Sequence, residues 1–270
     1  MKIKNYITGA VLFLITLACV SQPVPTAIDP STIPTIVVMT ANAATTQTAA
    51  AAPTSQPTAT TTPDPSAING TIERLSNGST KYTDNEIGFE ITYPAGWLTL
   101  RPNSDEFNSA LAKEAKKNDM LRKQMEADIN DYEAGADRLY SYPVRPDIEK
   151  NYAFGYSEAE WDQNSDVPID ENSMGQFVRA LEASGAIPGF RADTAQVYEN
   201  AGNVKVLEVG GVFSISDGKG GFLPFYVTII FFKPTSNSMI RINFTYLKDY
   251  KLPISSDVMT VVTSIKVLSK

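Results

Sequence analysis

The stretch Tyr82–Trp97 reads YTDNEIGFEITYPAGW, and its pattern decides the first part of the fold. Phe89, Ile91 and Tyr93 alternate with polar residues, which is the period of a half-buried β-strand. Residues 93–96, Tyr-Pro-Ala-Gly, predict a turn, because proline suits its second position and glycine its fourth. The tryptophan then opens a short strand. The stretch therefore predicts that a sheet begins here, with two strands joined by a tight turn.

The last third of the chain predicts four more strands, separated by short polar turns that favour an antiparallel meander. The strand at about 222–232 reads FLPFYVTIIFF and is apolar on both of its sides, so we expect a central strand covered on both faces. Gly210 and Gly211 predict a bulge in the strand before it. The four predicted strands cover about residues 194–199, 204–215, 222–232 and 239–247.

Helical periodicity marks three further segments. The first begins at the N-cap Ser104 and runs to about residue 132, with a break near Asn118. The second runs from about residue 172 to a stop at Gly185. The last, residues 255–268, is an amphipathic helix that we expect to be capped at Ser255 or Ser256. Together with two short strands in residues 139–171, these elements predict an α+β domain, a central antiparallel β-sheet flanked by helices.

The opening stretch also resembles a known family. The Gly-Phe strand, the Tyr-Pro turn and the tryptophan of residues 82–97 look like the start of PsbP-like (Mog1/PsbP-fold) domains, and residues 255–268 are similar to the end of that family. The resemblance implies an antiparallel sheet flanked by helices. It also implies a role in binding or complex assembly, without shared catalytic residues.

The composition excludes several classes of protein. The formal net charge is −7, and nucleic-acid binding needs a surplus of Lys and Arg, so we expect no nucleic acid as a partner. The chain contains no histidine and one cysteine. These counts exclude Ser-His-Asp and Cys-His catalysis, histidine-bound zinc and an internal disulfide. Carboxylates, lysines, tyrosines and hydroxyls remain available for chemistry. Because the resemblance implies no shared catalytic residues, we expect a protein that is not an enzyme and carries no cofactor.

The N-terminal segment predicts a membrane anchor. Two lysines precede an uncharged run of about 15 residues, which is typical of a secretory signal and short for a membrane-spanning helix. Residues 15–19, Ile-Thr-Leu-Ala-Cys, resemble the lipobox of bacterial lipoprotein precursors. That resemblance implies cleavage after residue 18 and acylation of Cys19, including a diacylglyceryl group and further acyl chains such as palmitate. The alternatives are a retained anchor helix, or an inert cysteine in a signal peptide cut near residues 41–43.

Residues 19–67 are rich in proline, threonine and alanine, so we expect a disordered tether between an acylated Cys19 and a domain at 68–270. Within the tether, residues 36–39, Ile-Val-Val-Met, predict a sticky apolar spot. The bilayer is the first expected partner, and the expected location is extracytoplasmic, on the cell surface or in the periplasm.

Aromatic residues between 139 and 166 predict a ligand-binding surface. Tyr140, Tyr142, Tyr156 and Trp161 could form a platform for a sugar or a peptide, although packing in the core or at a sheet edge is the simpler interpretation. Nearby carboxylates could supply the acid pair of a glycosidase; these are Glu158, Glu160 and Asp162.

Residues Asp162, Asn164 and Asp166 are a weak calcium candidate, because oxygen ligands at alternate positions are typical of a calcium loop. The sixth position of such a loop needs glycine, and here it is Val167. A solvated acidic loop that caps the next helix is the preferred interpretation.

These observations predict a non-catalytic module that binds another envelope protein or assists complex assembly. The first alternative is a small-ligand or carbohydrate-binding lipoprotein that uses residues 139–166. The second is a carboxylate-dependent hydrolase.

Overall fold

The computed structural model describes residues 70–114, 118–145, 155–216 and 220–268. The strands are β1 (Gly70–Arg74), β2 (Thr80–Asp84), β3 (Phe89–Tyr93), β4 (Trp97–Leu100), β5 (Asp137–Pro143), β6 (Gly155–Asp162), β7 (Arg191–Glu199), β8 (Lys205–Ser216), β9 (Phe222–Thr235), β10 (Ser238–Leu247) and β11 (Lys266–Val267). The α-helices are α1 (Asp105–Glu114), α2 (Asp119–Asn130), α3 (Glu171–Ser184) and α4 (Lys251–Ser264). The predictions for the signal segment, Cys19 and the tether lie outside the described residues.

The strands form two antiparallel sheets. One has the order β1-β2-β3-β11, and the other has the order β4-β5-β6-β10-β9-β8-β7. Strand β10 therefore lies between β9, its neighbour in the chain, and β6, which precedes it by some eighty residues. The antiparallel α+β fold with flanking helices is confirmed.

The main core lies between the two sheets and α4. The alternating residues Phe89, Ile91 and Tyr93 of β3 are all fully buried there, as the opening stretch predicts. Ile230 and Phe232 of β9 reach the same core from the seven-stranded sheet. The intervening residues of β9 point to the opposite face, so the expectation of a strand buried on both sides is confirmed.

The opposite face of the seven-stranded sheet has two helical covers, which meet where Tyr156 of β6 packs against both clusters. Helices α1 and α2 pack over β4 and β5 through a cluster that includes Phe107, Leu121 and Met125. Helix α3 packs over β7, β8 and β9, where the rings of Phe177 and Phe231 lie 5.1 Å apart between centroids. Because the two covers sit at different ends of the sheet, β6 and β10 run between them.

The turn of the opening stretch is organised by a buried carboxylate. Asp84 is fully buried and accepts hydrogen bonds from Tyr82 Oη at 2.8 Å and from the backbone N–H groups of Glu86 and Ile87 at 3.1 and 2.9 Å. Arg138 Nε of β5 donates to the same carboxylate at 2.8 Å. This ion pair ties the four-stranded sheet to the seven-stranded one.

Local capping signals place three of the helix ends correctly. Ser104 Oγ accepts from the N–H of Phe107 at 3.2 Å, and the chain breaks before α2, whose N-cap is Asn118. Helix α3 stops at Gly185, which adopts a left-handed conformation with φ 68°. The predicted cap at Ser255 or Ser256 is wrong. A 3₁₀ turn after β10 starts α4 at Lys251, and Ser255 Oγ donates back to the Lys251 carbonyl inside the helix.

The predicted bulge at Gly210 and Gly211 is also wrong in its position. Both glycines pair in register with β9, and the irregularity lies on the other neighbour, between Ala192 and Thr194 of β7. Glycine is required at both positions because neighbouring side chains leave no room for a Cβ atom. A Cβ on Gly210 would lie 2.4 Å from Tyr226 Oη. A Cβ on Gly211 would lie 2.3 Å from Cε2 of the Phe190 ring.

The described chain enters the domain at the edge strand β1. Gly70, its first residue, pairs with Asp84 at the open end of the β1-β2 hairpin. Arg101 Nη1 donates to the Gly70 carbonyl at 2.9 Å, and the same guanidinium is paired with Glu106 of α1. The start of β1 is thus fastened to a helix on the other sheet.

Candidate binding site

A row of polar residues crosses the helical face of the seven-stranded sheet between the two covers. Glu158 and Glu160 of β6 lie directly beside Asn243 and Arg241 of β10 in the strand register. We call these four residues the polar strip. Alternation along each strand puts all four side chains on the face that carries α1, α2 and α3, while their neighbours in sequence enter the main core.

The solvent exposure of the side chains differs between the two ends of the polar strip. At one end, Arg241 Nη2 contacts both carboxylate oxygens of Glu160, and these side chains are 38% and 26% exposed. At the inner end, Asn243 is only 9% exposed, and its Nδ2 donates to Glu158 Oε1 at 2.8 Å. Solvent therefore reaches the strip from the Glu160 and Arg241 end.

A half-buried carboxylate, that of Asp128, borders the strip from helix α2. Asp128 Oδ2 accepts from Tyr142 Oη at 2.5 Å, and Asp128 Oδ1 accepts from Gln124 Nε2 at 2.5 Å. Tyr140 Oη donates to Asp137 Oδ2 at 2.7 Å and to the Asp128 carbonyl at 3.1 Å. The tyrosines of β5 thus connect the helix to the sheet through acidic partners.

Burial raises the pKa values of these acids, because desolvation disfavours the charged form. The pKa of Glu158 rises to about 8; burial is the main cause, and the nearby Glu160 adds to it. The pKa of Asp128 rises to about 7, again through burial, although the hydrogen bonds from Tyr142 and Gln124 oppose the shift. Arg241 lowers the pKa of Glu158, but less than burial raises it.

Two buried polar atoms of the strip have no hydrogen-bond partner in the described structure. They are Asn243 Oδ1 and Arg241 Nε. Asn243 Nδ2 is bound to Glu158 Oε1, so the amide oxygen of Asn243 is the atom left without a donor. A buried polar atom without a partner costs about 1–3 kcal/mol. Asn243 Oδ1 lacks a donor and Arg241 Nε lacks an acceptor, so the inner end of the strip, at Asn243, is suited to a ligand that brings a donor.

The four aromatic residues predicted as a ligand platform do not share a surface. Tyr140 and Tyr142 are 4% and 1% exposed and pack under α1 and α2, with their hydroxyls bound to acids. Tyr156 lies partly buried on the same face. Trp161 points to the other face, where its ring packs against the main core and lies 5.6 Å from the Arg138 guanidinium carbon.

The weak calcium candidate lies on an exposed turn. Asp162, Asn164 and Asp166 are all exposed, and Asp162 Oδ1 accepts from the Asn164 backbone N–H at 3.0 Å. Lys233 Nζ donates to the carbonyl of Ser165 at 2.8 Å, so an ammonium group already uses an oxygen of this loop. Among the described residues, no group of three or more acidic, cysteine or histidine side chains is arranged to hold a metal ion.

The sequence predicted Glu158 and Glu160 only as members of an acid pair. It did not predict the contribution of Arg241, Asn243 and Asp128. The signal for Arg241 and Asn243 was present, because residues 240–246 alternate between apolar and polar side chains and so predict a wetter face. No sequence signal singles out Asp128, which meets the tyrosines of β5 only through the packing of α2.

The comparisons with known proteins give distant structural likenesses, including three solved structures with TM-scores of 0.41 or less. No protein-family model matches the chain, and no curated protein matches it significantly. Similar solved structures include the cyanobacterial PsbP of Synechocystis, with 10% identity, TM-score 0.41, and 71% of this chain and 93% of that chain covered. LpqN of Mycobacterium tuberculosis, described as involved in cell envelope biogenesis, has 11% identity, TM-score 0.40, and coverages of 71% and 91%.

The Ran-binding protein Mog1p of Saccharomyces cerevisiae has 8% identity, TM-score 0.41, and coverages of 72% and 97%. PsbP and Mog1p are the proteins that give their names to the fold that the opening stretch resembles. With TM-scores below 0.5, these likenesses support neither membership of a family nor a function. Within the described ranges, no helix has both the length and the apolar character that crossing a membrane requires.

Proposed function

We propose that residues 68–270 form a non-catalytic binding module of an extracytoplasmic lipoprotein and that the module recognises another protein of the cell envelope. The observation that carries this proposal is the polar strip. An apolar row at Glu158 and Asn243 would complete the helical face at least as stably, because replacing a buried polar cluster by packed apolar residues is often neutral or stabilising. A costly polar row with unpaired atoms is therefore better explained by a ligand than by the fold.

The anchoring half of the proposal rests on the sequence. Cys19 follows a short apolar run and a small residue, and a stretch rich in proline and threonine separates it from β1. Acyl chains contribute about 0.8 kcal/mol per buried CH₂ group, so several chains on one cysteine hold a protein firmly on a bilayer. A module held in this way would meet partners near the membrane.

The binding proposal is tested by site-specific cross-linking in the native envelope. A photo-reactive residue at position 160 lies at the open end of the polar strip, and the matched control at position 199 lies on the exposed end of β7. We expect position 160 to capture one discrete protein that position 199 does not. Equal labelling from both positions, or no adduct from position 160, would contradict the proposal.

The anchoring proposal has a separate test. We expect the chain to incorporate labelled palmitate and to fractionate with membranes, and we expect Cys19→Ser to lose both properties. If the variant were processed and retained on the membrane like the parent, lipidation at this residue would be wrong.

A further inference from the structure

We propose that the polar strip binds an organic cation, an ammonium or guanidinium group, which a lysine or arginine side chain of the protein partner supplies. The inference rests on the proposed function and specifies the chemistry that the partner presents. Three independent features of the strip carry it, namely its charge, its unpaired acceptor and the guanidinium that it already holds.

The charge around the strip favours a cation. Glu158 and Glu160 lie on β6, Asp128 approaches from α2 and Asp137 from β5, and the cation beside them is Arg241 of β10. The acids outnumber it.

The unpaired acceptor, Asn243 Oδ1, favours a ligand that carries hydrogen-bond donors. Asn243 is 91% buried, as its 9% exposure implies, and its Oδ1 has no partner although its Nδ2 is bound to Glu158. An ammonium group carries three donors and a guanidinium five, and neither has an acceptor that would compete with the strip. One such group at the inner end could donate both to the Glu158 carboxylate and to the Asn243 oxygen.

The face already accommodates a guanidinium. Arg241 lies on it with Nη2 bound to both oxygens of Glu160, and its exposed end marks where solvent enters. A second cation entering at this end would travel along a row whose outer carboxylate is already paired with Arg241 and whose inner carboxyl has no cation bound to it among the described residues. Glu158 is therefore the residue that we expect to contact the ligand.

Binding is expected to release a proton. At pH 7 the carboxyl of Glu158 is mostly protonated, because its pKa is raised to about 8 by burial and by Glu160. The charged and titratable groups near it are Asp128 on α2, Arg241 on β10, Tyr140 and Tyr142 on β5, and Tyr156 and Glu160 on its own strand, and Asn243 of β10 donates to it. A bound cation would favour the ionised form, so about one proton leaves per cation bound at pH 7.

The test uses the full chain in detergent at pH 7, with n-butylguanidinium as the probe and the neutral n-butylurea as its isostere. Titration is followed by NMR through the ¹³C shift of the Glu158 carboxyl and the side-chain amide of Asn243. We expect the guanidinium to move both signals and to shift Glu158 towards its ionised form, whereas the urea moves neither. Equal responses to the two probes, or none to either, would overturn the inference. This comparison uses the unmodified chain and does not depend on whether a variant folds.

A variant pair assigns the effect to the strip. Glu158→Gln keeps the hydrogen-bonding shape and removes the charge, so we expect at least tenfold weaker binding of the probe. Glu199→Gln removes an exposed carboxylate from the end of β7 and should leave binding unchanged. If both variants weakened binding of the probe equally, the weakening would result from the change in net charge, and the assignment to the polar strip would be wrong.

The source of the cation is tested last. A short peptide with a central arginine is expected to bind more tightly than n-butylguanidinium, and Glu158→Gln should abolish the cross-link from position 160. If the cross-link persisted in this variant and the probe did not bind, the inference would be wrong and the proposed function would stand. If the probe bound and no protein were captured, the proposed function would be wrong and the strip would bind a free amine or guanidine.

Discussion

Two carboxylates on opposite sides of the seven-stranded sheet, Asp84 of β2 and Glu158 of β6, have opposite environments, since Asp84 is fully buried and Glu158 is half-buried. Asp84 accepts from Tyr82, from two backbone N–H groups and from Arg138. Within the described residues, Glu158 accepts from Asn243 alone, and the acids Glu160 and Asp128 lie near it. The same chemical group is thus fully satisfied in one place and poorly satisfied in the other.

The difference separates a structural acid from a functional candidate. A buried charge that has a cation and several donors holds elements together, and its loss leaves those partners unpaired. A carboxyl whose pKa is raised by burial is tolerated at a cost and is frequent at functional sites. The same reasoning predicts how each acid responds to substitution and to pH.

The largest effect is expected for Asp84→Ala. The change leaves the Arg138 guanidinium buried without its main partner, so we expect the free energy of unfolding to fall by about 3–5 kcal/mol. Urea denaturation measures it. The control is Glu86→Gln, because Glu86 contacts the same arginine but is 39% exposed, and a change below about 1 kcal/mol is expected there. If Asp84→Ala lowered the free energy of unfolding only slightly, Asp84 would not be the structural acid that we contrast with Glu158.

The second effect is a pH dependence. The pKa values of Glu158 and Asp128 are raised in the folded state to about 8 and about 7. The unfolded chain therefore releases these protons first, and the free energy of unfolding should fall between about pH 5 and pH 8, by about 1–3 kcal/mol. Urea denaturation across this range should show the fall. Glu158→Gln should flatten it and be the more stable chain at pH 8, whereas Glu199→Gln should keep the parental slope. A flat parental profile would show that Glu158 is not desolvated.

The third effect compares two tyrosines. Tyr142→Phe removes the donor to Asp128, and Tyr93→Phe removes the hydrogen bond to Ser157 on the other face. We expect each to cost about 1–2 kcal/mol at pH 7. The cost of Tyr142→Phe should grow from pH 5 to pH 8, because the lost hydrogen bond lowers the pKa of Asp128 in the parent. Identical pH profiles of the two variants would contradict the role given to Asp128.

The smallest effect on stability is expected for Glu160→Gln. Its pair with Arg241 is partly exposed, and such pairs contribute about 0–1 kcal/mol. The informative quantity is the pKa of Glu158, which should fall because a like charge is removed and Arg241 becomes available. A ¹³C NMR titration of the glutamate carboxyls measures it. An unchanged or higher pKa would mean that burial alone sets the value.

Much of the fold could be predicted from local patterns. The alternation in β3, the cap at Ser104 and the glycine at 185 each depend on neighbours within a few residues, and each prediction is confirmed. The irregularity in β7 could not be located, because a bulge is defined by the pairing of two strands. The start of α4 was missed for a similar reason, since the 3₁₀ turn after β10 decides it.

The candidate site was less accessible from the sequence. Glu158 and Asn243 are 85 positions apart, and they meet only because β10 inserts between β6 and β9. Neither residue type signals this insertion. The aromatic residues of the segment 139–166 were predicted as a ligand platform because of their residue type. In the structure, Tyr140 and Tyr142 are buried, and Trp161 lies on the opposite face of the sheet.

The entry of the chain at β1 has a mechanical consequence. Gly70 pairs at the open end of the β1-β2 hairpin, so a pull from the N-terminal side loads the hydrogen bonds of this edge strand one after another, as in opening a zip. The contact from Arg101 to the Gly70 carbonyl is the first to bear the force. A domain held on a membrane by its N-terminal segment would thus yield first at β1, while the strands that carry the polar strip would bear little of the tension.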